Sequence, residues 1–130
     1  DRLSPCGLSP VEVDADRFDF RTPRRLGPVR IDHAFTDLSR DASGTSSVRL
    51  IDSSGTGVEV RWDSSCPWVQ IHTADLPAGP SQPGHRAGLA VEPMTCAPDA
   101  LNAGRYDYDT GLLTIEPGHT VSASWRIAAL

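Results

Sequence analysis

The chain contains no lysine. All 12 of its cationic side chains are arginine, set against 17 carboxylates, for a formal net charge of -5 at pH 7. An arginine-only bias is what GC-rich coding produces, and it carries no mechanistic content. The arginines are dispersed, with one local cluster at Arg21, Arg24, Arg25 and Arg30. No basic stripe interleaves with aromatics, which argues against a nucleic-acid footprint. Long apolar runs are missing too: none approaches the roughly 20 residues that cross a bilayer. The opening Asp1-Arg2-Leu3-Ser4-Pro5 has no apolar signal-peptide core. A soluble, cytoplasmic protein is the expectation.

Cysteine is scarce. Cys6, Cys66 and Cys96 are odd in number and far apart, which suggests neither a disulfide framework nor a CxxC zinc site. Buried or half-buried free thiols are expected instead. No pair of histidines has metal-site spacing on one element, and His85 and His119 fall in loop and turn compositions. Sustained helical periodicity is also absent, and 11 prolines interrupt most candidate helices. Only single helical turns remain plausible, for example near Pro98–Asn102. There is no internal repeat that would support a solenoid or propeller.

What the sequence does contain is period two. Val48 and Leu50, then Val58, Val60 and Trp62, alternate with polar residues on either side of Asp52-Ser53-Ser54-Gly55-Thr56-Gly57. That pattern predicts a hairpin with one buried face. Further strands are predicted at Leu8–Val13, Val29–Ala34, Pro67–Thr73, Gly88–Met94, Leu112–Glu116 and Thr120–Ile127. Each is short, rich in β-formers and bounded by turn residues. At 130 residues and 14.0 kDa the chain has the size of one domain. The predicted fold is all-β, an antiparallel β-sandwich. The Pro/Gly-rich stretch 74–87 reads as a surface loop beside a site.

Three places could carry chemistry. In Leu89-Ala90-Val91-Glu92-Pro93-Met94, alternation puts Glu92 on the face opposite Leu89 and Val91. A carboxylate held in a partly dry pocket there would serve as a general base near neutral pH; an exposed strand-edge glutamate is the plainer alternative. Asp32-His33 ends an apolar strand and adjoins Ala34-Phe35, or it is a turn carboxylate beside a surface histidine. Gln70 and His72 share one face of Trp68-Val69-Gln70-Ile71-His72. An aromatic with a planar amide and an imidazole suits a sugar ring, although a solvated sheet face looks the same. Asp32 and Glu92 could also meet as paired carboxylates, and nothing in their spacing selects that arrangement.

Taken together, Ile31-Asp32-His33-Ala34-Phe35, Pro67-Trp68-Val69-Gln70-Ile71-His72-Thr73 and the string Glu92-Pro93-Met94-Thr95-Cys96-Ala97-Pro98-Asp99-Ala100-Leu101-Asn102 resemble, in order, the C-terminal half of the galactose mutarotase/aldose 1-epimerase family. Leu113–Thr120 resembles that family's last hairpin. The resemblance implies a supersandwich of which residues 1–130 are the C-terminal portion, with the N-terminal portion absent. It implies that Glu92 is the general base and that Asp32 and Gln70 bind sugar hydroxyls. The reaction implied is interconversion of α and β anomers of a free hexose by ring opening, which needs no cofactor or metal. A hexose phosphate held by Arg21, Arg24 or Arg25 is a variant.

The chain departs from the family in lacking the upstream histidine motif that supplies the acid, as well as an Asn-Arg pair and a further histidine. His33 and His72 match other family positions. The expectation is therefore a chain inactive alone, associating with its missing N-terminal portion as a companion chain or with a second copy of itself. A non-catalytic carbohydrate-binding module on the same scaffold is the alternative.

Overall fold

A computed structural model describes residues 4–130. Its elements are mostly short strands: β1 (Asp32–Phe35), β2 (Ser46–Ile51), β3 (Gly57–Trp62), β4 (Trp68–His72), β5 (Ala90–Met94) and β6 (Trp125–Ala129). They form two antiparallel sheets of three strands, ordered β1-β4-β5 and β2-β3-β6. This is the all-β, sandwich-like architecture that the alternation predicted. Among the described residues no helix is long and apolar enough to cross a membrane.

The β2-β3 hairpin forms because its turn is held by its own side chains. Asp52 accepts from the Ser54 amide at 2.8 Å, the Ser54 hydroxyl at 2.6 Å and the Thr56 amide at 3.2 Å. An Asx turn of this kind competes successfully with extension of the strand. Asp41, Ser43 and Thr45 repeat the device on the way into β2. Gly57 is required by close approach, since a Cβ there would lie 2.4 Å from the Leu50 carbonyl oxygen.

The core lies where the two sheets face each other. Trp62, Cys66 and Val69 are buried, and Phe35, Leu38, Val48, Val60, Ile71 and Val91 pack around them. Each sheet therefore contributes one apolar face, as period two demands. Phe18 covers the rim of that core, its ring 5.9 Å from that of Phe35 and 4.8 Å from that of His33.

Several expected elements are corrected. Leu8–Val13 is not a strand: Val11–Asp14 forms a 3-10 turn followed by the helical turn Ala15–Phe18. Val13 is 75% exposed, and among the described residues no neighbouring strand offers this segment a ladder, without which alternation has nothing to bury against. Leu112–Glu116 forms no strand for the same reason. The anticipated last hairpin is reduced to its turn, in which the His119 amide donates to the Glu116 carbonyl at 3.0 Å. The final strand lies slightly later than Thr120–Ile127, where β3 supplies a partner. The helical turn near Pro98–Asn102 forms as Ala100–Arg105. Of the three free thiols, Cys66 is buried and Cys96 half-buried, whereas Cys6 is exposed.

Candidate functional site

The register of the first sheet decides which side chains meet. Asp32 pairs with His72, which pairs with Ala90; Ala34 pairs with Gln70, which pairs with Glu92. Direct partners share a face, and residues two apart on a strand share it as well. Asp32, Gln70, His72 and Glu92 therefore stand on one face, with Trp68 and Met94 in the next row. Val69, Ile71 and Val91 take the opposite face into the core.

Within this face Gln70 donates from Nε2 to Asp32 Oδ1 at 2.7 Å. The bond fixes the amide orientation and leaves the Gln70 side-chain oxygen and the second Asp32 oxygen without a side-chain hydrogen-bond partner among the described residues. Glu92 is exposed, whereas Asp32, Gln70 and His72 are half-buried. The dry pocket expected around Glu92 is not closed by the described residues. β4 separates Asp32 from Glu92. Two strand spacings across and two residues along put their backbones about 12 Å apart.

The two ends of the face are built differently. At the His72 end, Arg86 secures the 74–87 loop. It donates to the Val29 and Gly27 carbonyls, each at 2.8 Å, and to Asp75 at 3.1 Å. Asp75 also accepts the Thr73 hydroxyl. The Thr73 hydroxyl bond and the Arg86 guanidinium hold the Asp75 carboxyl below the usual range, in that order. The His85 Nδ1 accepts from the Leu76 amide at 3.0 Å. The 74–87 loop is thus anchored to the segment before β1.

At the Trp68 end, residues 95–111 fold back over the sheet. Trp68 is buried although it lies on the outward face, because Tyr108 stands 5.9 Å from it and Tyr106 5.3 Å from Tyr108, centroid to centroid. Asp99 locks this segment, accepting from Asn102 at 2.6 Å and from the Tyr106 hydroxyl at 2.5 Å. The Tyr106 bond, then the Asn102 bond, lower the Asp99 carboxyl. The same bond raises the Tyr106 phenol, and burial raises that of Tyr108. Beyond the tyrosines lies an open depression of about 400 Å³ lined by Cys6, Leu8, Arg105 and Asp107 among others.

Asp32 and His33, read in sequence as one pair, are divided between the two faces. His33 sits against Phe18, and burial, then the Arg17 charge, lower its imidazole. Of the arginines considered for a phosphate, Arg21 and Arg24 are committed to the chain itself. Arg21 binds Asp19 and Glu12 at 2.6 and 2.7 Å, and Arg24 donates to the Asp19 and Asp16 carbonyls at 2.8 Å. Their segment packs through Phe18 on the face of β1 opposite Asp32. Sequence reasoning missed Tyr106 and Tyr108 as neighbours of Trp68. The one available signal was their own spacing of two. Compared with known proteins, the chain matches no protein-family model, and no curated protein and no solved structure is significantly similar to it.

Proposed function

We propose that the Asp32-Gln70-Glu92 face binds a hexose and that the protein is part of an aldose 1-epimerase-like isomerase of the cytoplasm. The observation that supports this reading is the register: three residues distant in sequence share one face, with Gln70 and Glu92 directly opposed and Gln70 bonded to Asp32. In this reading Asp32 and Gln70 take sugar hydroxyls in bidentate fashion, and Glu92 removes the proton from the anomeric hydroxyl. A histidine supplied from outside these residues, on a companion N-terminal portion or a second copy, protonates the ring oxygen. The C1–O5 bond breaks to give the aldehyde, the C1–C2 bond rotates, and closure on the other face of the carbonyl returns both protons. The steps are proton transfers, cleavage and re-formation of C1–O5 and a bond rotation, with no change of oxidation state, so no cofactor is invoked.

A second reading, a carbohydrate-binding module without catalysis, is favoured by the exposure of Glu92. Saturation-transfer NMR with free galactose and glucose tests the binding that both share. Transfer to the sugar that disappears in Gln70→Ala supports the face as the site; no transfer in the unaltered chain overturns both readings. Anomer exchange, followed by polarimetry, separates them. Activity in any complex that contains the chain is expected to fall about 10²–10⁴-fold in Glu92→Gln, with sugar binding retained. Unchanged exchange in that variant would remove Glu92 from the mechanism.

A further inference from the structure

The second sheet is unfinished. Its apolar face carries Trp62 beside Trp125, Val48 and Val60 beside Ile127, and Leu50 and Val58 beside Ala129. The first sheet covers only part of it. Trp62 is 2% exposed, but Trp125 is 63% and Ile127 59% exposed, and Leu50 and Val58 are nearly half exposed. Leu112, Leu113, Ile115 and Val121, in the segment leading to β6, are uncovered as well. Among the described residues no strand pairs with the outer edge of β6.

The size of the deficit can be judged from the whole molecule. The accessible surface is 9194 Å². A compact monomer of 14.0 kDa is expected to expose about 6,700 Å². The excess, on the order of 2,500 Å², is shared between this face and the largely exposed segments before β1 and before β6.

Charge narrows the identity of what covers it. On the polar face of the same sheet, Arg49 and Arg61 share Glu59, at 2.7 and 3.8 Å, and Arg61 also binds Asp41. Arg126 lies directly opposite Arg61; Asp41 and Glu59 already engage Arg61, whereas Arg126 itself makes no ion pair among the described residues, which leaves the like-charge pair only half compensated. A second copy paired edge to edge would not supply a carboxylate. Neither β6 (Trp-Arg-Ile-Ala-Ala) nor β2 (Ser-Ser-Val-Arg-Leu-Ile), the two edges of this sheet, contains an acidic residue. Self-pairing of β6 that preserves the faces puts Ala128, Arg126 or Leu130 against Arg126.

We propose that the β6 edge and the adjoining apolar face are a docking surface for a strand of a different polypeptide, one alternating apolar residues with a carboxylate that meets Arg126. Backbone pairing would extend the sheet, and the apolar residues of the added strand would lie beside Trp125 and Ile127. The inference does not depend on sugar binding. It goes beyond the proposed function in specifying the edge, the strand pattern and the charge of the companion.

The test uses the full chain and three synthetic nine-residue peptides that alternate valine with threonine. One has glutamate at the central polar position, one has lysine there, and one is the glutamate peptide N-methylated along one edge. Binding is read as a blue shift of tryptophan emission, which Trp125→Phe should abolish because the other two tryptophans are already buried. The expected result is saturable binding of the glutamate peptide at least about fivefold tighter than the lysine peptide, lost on N-methylation, with the preference reversed in Arg126→Glu. Three results would overturn the proposal: no saturable shift with any peptide, equal binding of the glutamate, lysine and N-methylated peptides, or sedimentation as a dimer with Trp125 already shielded from quencher. The last would assign the face to a second copy.

Discussion

Replacing Thr73 by valine removes one oxygen from the point where β1, β4 and the 74–87 loop meet. Thr73 is 1% exposed. Its hydroxyl accepts from the Ile31 amide at 2.9 Å and is bonded to Asp75. The Ile31 amide has no other partner among the described residues, and Ile31 is itself 3% exposed. Valine keeps the shape but strands that amide, which costs about 1–3 kcal/mol for a buried unsatisfied donor. Thr73→Ser is the control: it keeps the oxygen and loses one methyl, worth about 0.8 kcal/mol. Urea unfolding at pH 7 should show the valine variant clearly below the serine variant, with a midpoint drop of about 0.5–1.5 M for an m of roughly 2 kcal/mol/M. The sign with pH follows from Asp75, whose carboxyl is lowered chiefly by the Thr73 hydroxyl. Stability from a lowered carboxyl is present above its unfolded pKa and is lost as pH falls through the folded value. The gap between Thr73→Val and the unaltered chain should therefore narrow on acidification below the ordinary aspartate range. A valine variant as stable as the serine variant, or a gap that widens in acid, would refute the reasoning.

Asp63 makes a second acid-sensitive contact: bonds from the Ser124 and Ser65 hydroxyls, then from the Ser65 amide, lower its carboxyl to about 2. Its contribution should be complete above pH of about 4 and vanish toward pH 2, and Ser124→Ala should flatten that part of the urea-midpoint profile. At the other end of the sheet, Tyr106→Phe removes the bond that raises the Tyr106 phenol and lowers Asp99. Ultraviolet titration of this variant should retain only the Tyr108 phenol, itself raised by burial, and the Asp99 carboxyl resonance should titrate nearer the ordinary aspartate value.

Glu92, Gln70 and Asp32 show how far a sequence can place a site. Alternation assigns each a side of its own strand, because successive side chains of an extended chain must point opposite ways. It does not say which strands are neighbours. Gln70 faces Glu92 only because β4 lies between β1 and β5 in one particular register, and a shift of one residue would send Gln70 into the core. The exposure of Glu92 stood in the sequence only as the plainer of two alternatives, since it depends on what stands above the sheet.

The β2-β3 hairpin and the all-β class were legible from the sequence alone, because turn chemistry at Asp52–Gly57 and period two act within a few residues. Where a segment's structure depends on a distant partner, the same periodicity misled. Leu112–Glu116 alternates as well as β6 does, yet only β6 has β3 beside it to satisfy its backbone. The cover on Trp68, the Asp75-Arg86 anchor and the bare face around Trp125 were decided by tertiary structure, because burial is a property of the neighbours that other parts of the chain bring, or fail to bring, to a residue.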